Sequence, residues 1–545
     1  MAESANIARH LPLMAARQPD RAAIKIPRGR LRDGKIDYLT LSFAGLDAEV
    51  NAWVGKLTAR GVRRGDRVLV MVRQGLPLIA VAFALFKLGA VPVIIDPGMG
   101  RKNFLACVAR SKPRVLLGIA LAQGLSRFFW STFASVEIRI WVSGSATARL
   151  GDESQSSKLK SEMVASAPGD LAAILFTSGS TGAPKGVCYE HGMFDAQVRL
   201  VRDAYKIEPG EIDLPMLPIF ALFNPALGMT TVVPELDPSR PASVDPAKIV
   251  QAIVQKKVTN SFGSPTLWRK IFDHCLANNL TLPGMRRVLC AGAAVPASLW
   301  ADAARVIPNG VLHSPYGATE VLPVATASSG EIESQSARGA LIGRPLPENR
   351  VKVIAIHEGE LSSLTETREL LPDEVGEIIV TGPTVTREYD QLPTATAVAK
   401  IRGVTNEVWH RMGDAGSFDD HGKLWFSGRI AERVESAAGV VHTEPCEQVF
   451  RTHPKVVRCA LIGLGPRGKQ EPALVVQPVS TSIDKKLFAV ELREMASRFP
   501  HTAAIRKFFF HPSFPVDVRH NAKIHRLTLA RWAAGATPHE PDQMT

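Results

Sequence analysis

Cysteine is sparse in this chain, with six thiols among 545 residues. Cys107, Cys188, Cys275, Cys290, Cys446 and Cys459 lie far apart, and none forms a CxxC pair or a Cys/His cluster. That spacing excludes a disulfide scaffold and a structural zinc site, and it fits a reducing compartment. The first residues carry no basic-then-apolar leader, so a cytoplasmic protein is expected. Long apolar runs are missing as well. The nearest, Leu76 to Ile95, is interrupted by Pro77, Lys87, Gly89 and Pro92 and reads as a buried helix turning into a strand. Aromatic residues make up only 6% and are not interleaved with the basic residues. With Lys and Arg scattered and no basic tail, nucleic acid binding is not expected. Acidic residues are outnumbered 52 to 65, a formal charge of +13, which suits anionic substrates or a peripheral membrane contact. No internal repeat is present.

What the chain does contain is concentrated at Ile174 to Val187, ILFTSGSTGAPKGV. Ile174, Leu175 and Phe176 read as a strand. It empties into Thr177, Ser178, Gly179, Ser180, Thr181 and Gly182, followed by Pro184, Lys185 and Gly186. Four hydroxyls, three glycines and a lysine within ten residues make a loop suited to phosphate. Glycines let backbone N–H groups approach, hydroxyls add donors, and Lys185 adds charge. A Walker A loop is excluded, because Lys185 is followed by Gly186 and Val187 instead of a hydroxyl residue opening a helix.

Around this loop, strands alternate with helices, the pattern of parallel βαβ units. A helix is expected through Leu46, Val50, Trp53, Val54 and Leu57. Arg63 to Val72 reads as a turn feeding a strand, and further strands are expected at Val91 to Ile95, Arg114 to Ile119 and Ile138 to Val142. Residues 144–169 read as a polar surface loop. Leu341 to Ile354 and Glu374 to Glu388 read as an antiparallel β segment. Near the C-terminus, strands at Val457 to Gly463, Ala473 to Val479 and Lys507 to His511 surround a helix from Asp484 to Phe499. The tail from Ala534 is expected to be disordered.

The TSGSTGAPKG loop resembles the signature of the adenylate-forming (acyl-AMP) superfamily, and HSPYGATE, His313 to Glu320, resembles its second signature. Over residues 5–535 the likeness is closest to the β-lactone synthetases of bacterial long-chain olefin biosynthesis, notably in LPIFALFNPALG, HRMGDAGSFDDHGKLWFSGR and FPVDVRHNAKI. The resemblance implies an α/β fold. A large N-terminal domain (1–428) of βαβ-rich sheets plus a β segment precedes a small α+β C-terminal domain (429–545) on a hinge, with Glu432 nearest the hinge position.

It also implies ATP and Mg²⁺ as cofactors. The loop and Lys185 would hold the β- and γ-phosphates, and the backbone of Gly292, Ala293 and Ala294 would lie along adenine. Tyr316 would stack on the purine, with Gly317 permitting close approach. Thr319 would bond the α-phosphate and Glu320 would hold Mg²⁺. Asp414 would accept the ribose hydroxyls, although a surface salt bridge also explains an aspartate there. Arg429 would reach ribose or phosphate, and Lys523 would bridge the substrate carboxylate and the α-phosphate.

Two departures mark the chain. Where family members often carry an aromatic followed by histidine, it has Phe220-Ala221, and GRIAERVESAAG is one residue longer before Gly439 than the common pattern. Both weaken a thiol-acceptor route. Phe220, Phe223 and Trp268 read equally as core packing or as the wall of an acyl pocket. The reaction implied is adenylation of a long-chain 2-alkyl-3-hydroxyalkanoic acid followed by attack of its own 3-hydroxyl. A thiolase-like enzyme, a reductase and a lactone decarboxylase are implied as pathway partners. A fatty acyl-CoA or acyl-carrier ligase is the alternative, and a non-catalytic nucleotide- or lipid-binding module the third reading.

Overall fold

The computed structural model describes residues 4–142, 162–177, 183–237, 240–332, 338–516 and 523–541. Ser178, Gly179, Ser180, Thr181 and Gly182, and most of the polar segment expected as a surface loop, lie outside the described residues. A six-stranded sheet runs in the order Ile138–Trp141, Val115–Gly118, Arg67–Met71, Val91–Ile95, Leu171–Thr177 and Lys185–Glu190. Its first five strands are mutually parallel and the last returns antiparallel. Parallel strands require crossovers, and helices supply them. Leu76–Leu88 is such a helix, nearly every residue buried, ended by Gly89 in the left-handed conformation before Val91–Ile95 begins. The stretch with broken apolar character is therefore a core helix and strand, as expected.

Phe43–Ala59 packs against that helix. Ser42 caps it by accepting from the Gly45 N–H at 3.1 Å, and Leu46, Val50, Trp53, Val54 and Leu57 turn inward at helical spacing. No helix among the described residues is long and apolar enough to cross a membrane.

A second, fourteen-stranded sheet joins two kinds of structure. Asn260–Gly263, Arg287–Cys290 and Val311–Ala318 are parallel neighbours. From Val311–Ala318 onward the pairing is antiparallel, through Val321–Ser328, Ala340–Pro345, Leu424–Arg429 and Val408–Phe418 to Gly376–Thr381 and Arg350–Ile354. The expected β segment is the far end of this sheet.

Beyond it, Val456–Leu464, Glu471–Pro478 and Lys507–Phe510 form a separate three-stranded sheet. Helix Lys485–Ser497 covers it with Phe488, Ala489, Leu492 and Ala496 in a core of its own. Leu487 stays 57% exposed, since only one face of this helix meets the sheet. The tail differs from expectation. His539 exchanges two backbone hydrogen bonds with Phe508, so residues up to 541 dock on the edge of this sheet.

Candidate active site

Open α/β sheets gather ligands beyond the carboxyl ends of their parallel strands. Both sheets present such ends here. Leu171–Thr177 leads into the Ser/Gly loop, and Lys185 resumes opposite Thr177 on the antiparallel return. In the large sheet, Arg287–Cys290 leads into Gly292, Ala293 and Ala294, which precede helix Ala297–Val306. Val311–Ala318 leads into Thr319 and Glu320, the two-residue turn between paired Ala318 and Val321. The register shifts between Tyr316 and Ala318, and a Cβ on Gly317 would lie 2.8 Å from the Val321 carbonyl oxygen. That close approach admits only glycine and aims the Tyr316 ring toward Val408–Phe418.

There Tyr316 meets Asp414. The Tyr316 Oη donates to Asp414 Oδ2 at 2.6 Å, and Arg429 Nη1 stands 2.8 Å from Asp414 Oδ1. Asp414 and Arg429 are ladder partners on adjacent strands, which fixes their pairing through the backbone. Asp414 is 3% exposed, and burial lifts its carboxyl above the usual range against the pull of Arg429, Tyr316 and Lys523. Burial and the neighbouring carboxylate also raise the Tyr316 phenol, so it remains a neutral donor. Oδ1 makes no hydrogen bond of good geometry despite its nearness to Arg429. A buried carboxylate oxygen in that state is an acceptor held ready for a donor. A bare surface salt bridge does not describe this aspartate.

Glu320 forms the second focus. Its Oε1 accepts from the Tyr389 Oη at 2.7 Å, and its backbone oxygen accepts from the Thr386 N–H at 2.9 Å. Lys185 Nζ lies 4.7 Å from the centre of the Tyr389 ring, a cation–π contact. Lys400 Nζ donates to Thr386 Oγ1 at 3.2 Å. Tyr389, Thr386 and Lys400 escaped sequence reasoning. Each sits in a stretch (VTREYD, AVAKIR) whose local pattern says only strand or turn, and they meet Glu320 through tertiary folding. Among the described residues no cluster of three His, Cys, Asp or Glu side chains could hold a metal.

Lys523 is exposed, and its charge is felt at Asp414. Its segment is anchored three residues later by Arg526. The Arg526 guanidinium donates to Glu447 at 2.8 Å through both Nε and Nη2, and to Glu432 at 2.9 Å through Nη1. Glu432 thus lies three residues from Arg429 and directly against the Lys523 segment. Just before Arg429, Gly428, at φ +131°, passes so close to Thr443 that a Cβ would overlap its hydroxyl.

The apolar residues separate into two groups. Phe220 stacks on Phe262 with centroids 3.9 Å apart, and Phe223 stacks on Phe194 at 4.8 Å. Both are half-buried, in the segment Pro218–Phe223. Trp268 is fully buried in a different core cluster, against Phe272, with its indole N–H unpartnered. The structure therefore brings Phe220 and Phe223 together and sets Trp268 apart. A cavity of about 10 Å³ lies beside Pro218 and Ala221, lined also by Ile79 and Val233. It has room for a water and not for an alkyl chain.

A family model for AMP-binding enzymes matches residues 13–390. The chain is 42% identical over 549 residues to an olefin beta-lactone synthetase of Xanthomonas campestris pv. campestris, covering 97% of each protein. It is 42% identical over 547 residues to an olefin beta-lactone synthetase of Stenotrophomonas maltophilia, covering 97% of this chain and 98% of that one. A 4-chlorobenzoate–CoA ligase of Arthrobacter is 26% identical over 548 residues, 97% of this chain and 96% of that one. Among solved structures, an O-succinylbenzoate coenzyme A synthetase from Bacillus subtilis in complex with AMP superposes with a TM-score of 0.77 at 21% identity, covering 97% of this chain and 99% of that one. An anthranilate CoA ligase with anthranoyl-AMP gives 0.80 at 18% identity, covering 98% of each. Likeness at this identity speaks for the fold alone.

Proposed function

The chain belongs to the AMP-binding enzyme family and is an ATP-dependent, acid-activating ligase; on that premise we propose that it closes a long-chain 2-alkyl-3-hydroxyalkanoic acid into a β-lactone. The observation that carries this reading is 42% identity along almost the whole chain to two olefin beta-lactone synthetases, against 26% to a CoA ligase over the same span.

In the first step a substrate carboxylate oxygen attacks the α-phosphorus of ATP, the bond to the β-phosphate oxygen breaks, and acyl-AMP and pyrophosphate result. The obstacle is repulsion between two anions, which fixed cations and N–H donors relieve. Lys185 and the loop 177–182 hold the outer phosphates. Thr319 bonds the α-phosphate, and Lys523 bridges it to the carboxylate. Tyr316 and the Gly292-Ala293-Ala294 backbone flank adenine. Asp414 accepts from the ribose hydroxyls, with Arg429 beside it.

Glu320 is the residue that would hold Mg²⁺. Tyr389 holds the Glu320 carboxylate through Oε1, and one oriented carboxylate suits this ion, which keeps waters and takes substrate phosphates as its other ligands. When bound, Mg²⁺ supplies further neutralisation of the phosphate charge. In the second step the substrate's 3-hydroxyl oxygen bonds to the acyl carbon, AMP departs with the electron pair, and the hydroxyl proton passes to solvent. An internal nucleophile needs no thiol channel and gains from proximity. Phe220 and Phe223 line the alkyl path.

Residues 429–545 act as a mobile domain that delivers Lys523, turning near Glu432. The substrate's origin assigns the enzyme to a cytoplasmic olefin pathway with a thiolase-like enzyme, a reductase and a lactone decarboxylase. The test is the product formed from MgATP and a synthetic 2-alkyl-3-hydroxy acid, with and without CoA. A product one water lighter than the acid, with AMP released and no CoA required, is expected. A thioester formed only with CoA overturns the reading.

A further inference from the structure

The short strand Lys400–Arg402 pairs with Val408–Phe418, placing Lys400 opposite His410. At the start of that strand, directly after helix Pro393–Ala399, the Lys400 side chain reaches the underside of the Glu320 turn. The link is short and continuous. Lys400 Nζ donates to Thr386 Oγ1, the Thr386 N–H donates to the Glu320 backbone oxygen, and the Glu320 carboxylate accepts from Tyr389, on whose ring Lys185 rests.

An ammonium carries three N–H donors, and the Thr386 hydroxyl takes one. Among the described residues Lys400 makes no ion pair. Its neighbours give it little relief. Lys185 repels it and Glu320 attracts it, while burial pushes the amine down to about 7. His410 brings no charge, because burial holds its ring neutral and its Nδ1 donates to the Ala399 carbonyl oxygen at 3.2 Å. Two lysines therefore stand around one carboxylate without pairing with it, Lys400 within its field and Lys185 on the Tyr389 ring that bonds it, and that carboxylate is the group that would hold Mg²⁺. Such a cluster lacks negative charge, and a polyanion supplies it.

We propose that Lys400 is a third phosphate-binding cation of this site, contacting the pyrophosphate half of ATP together with Lys185. The proposal rests on the nucleotide reading of the Tyr316–Asp414 pair, and it adds a residue that takes part in leaving-group binding. Pyrophosphate departs with negative charge growing on its bridging oxygen. A cation beside that oxygen stabilises the transition state more than the ground state.

The test measures binding of inorganic pyrophosphate with Mg²⁺, and separately of AMP, to the full-length protein by titration calorimetry. K400M keeps the length of the side chain and removes its charge. Its pyrophosphate affinity is expected to fall roughly ten- to a hundredfold, the loss of one or two charge-assisted bonds, with AMP affinity unchanged. K400R is expected to recover part of the loss. Pyrophosphate affinity within about twofold of wild type in K400M overturns the proposal. An equal loss of AMP affinity overturns it too, since that marks a structural role. A wild-type protein that binds neither ligand removes the nucleotide reading and this inference with it, whereas normal AMP binding isolates a failure to Lys400.

Discussion

Asp414→Asn is the substitution that tests the nucleotide site most sharply. It preserves shape and volume and removes one charge from a side chain that is 3% exposed. In the native site Oδ2 is engaged by Tyr316 at 2.6 Å, and Oδ1 waits beside Arg429 without a well-aligned hydrogen bond. Two ribose hydroxyls bonded to a carboxylate contribute about 1.5–3 kcal/mol each. Asparagine still offers one acceptor, so the expected loss is about 2–4 kcal/mol, or roughly thirty- to a thousandfold in AMP affinity. Tyr316→Phe keeps the ring and removes only the hydroxyl that orients the carboxylate, so its loss is smaller, on the order of tenfold.

Calorimetric titration with AMP measures both, with thermal unfolding as a control for the fold. The pH dependence adds a second readout. Because burial raises the Asp414 carboxyl, protonation sets in above the ordinary carboxylate range as the pH falls. Wild-type affinity should therefore decline on acidification while that of Asp414→Asn stays flat. A folded Asp414→Asn protein that binds AMP within about threefold of wild type refutes the ribose assignment.

Arg526→Met breaks the bonds to Glu447, which is fully buried, and to Glu432. Glu447 keeps Arg451 at 2.7 Å, so the loss in urea-unfolding free energy should be about 3 kcal/mol, at the low end for a broken buried pair; a change below about 1 kcal/mol is the contrary result. Acid stability follows from His191 and His313, both held at about 4 by burial, against about 6.5 in an unfolded chain. Their folded values are depressed, so the native state binds fewer protons, and stability is lost as the pH falls from about 6.5 through 4. Each contributes on the order of 3 kcal/mol to that loss, measurable by urea unfolding at neutral and acid pH. A flat profile removes the argument.

The parts of the fold legible in the sequence are those where local pattern and burial agree. Leu46, Val50, Trp53, Val54 and Leu57 announced their helix, and the interrupted run at Leu76 to Ile95 announced a core helix and strand, because 3.6-residue periodicity, Gly and Pro act locally. Tyr316, Glu320 and Asp414 were singled out through the resemblance of HSPYGATE and HRMGDAG to family motifs, and their local sequence gives no sign of which of them meet in space. The Tyr316–Asp414 bond joins residues 98 apart, and only sheet register creates it. Lys400 was hidden for the same reason. A lysine at the start of a three-residue strand gives no local sign that Glu320 and Lys185 stand near it in space. Trp268 shows a choice that local sequence leaves open, since a large aromatic near an expected pocket is equally suited to a core, and here it lies in a core cluster.

The arrangement of charge divides the site by chemistry. On the proposed nucleotide reading, Asp414, an anion, would face the sugar end, where partners are neutral hydroxyl donors. Lys185 and Lys400 gather at the Glu320 turn, where the proposed partners are phosphates. Lys523 acts across the division, since its charge reaches Asp414 although it enters from the far end of the chain. Its placement depends on Arg526, whose guanidinium is shared between Glu447 and Glu432. A turn of the chain near Glu432 would leave the Arg526–Glu447 bonds intact, because Lys523, Arg526 and Glu447 travel together. The Glu432 bond would have to stretch or break, and so would the pairs that Glu358 makes with Arg467 at 2.7 Å and with Arg433 at 3.6 Å. A few ion pairs thus distinguish the arrangement with Lys523 at the site from one with it withdrawn. Bonds of this kind are small enough for a ligand-driven motion to overcome and large enough to set the resting population.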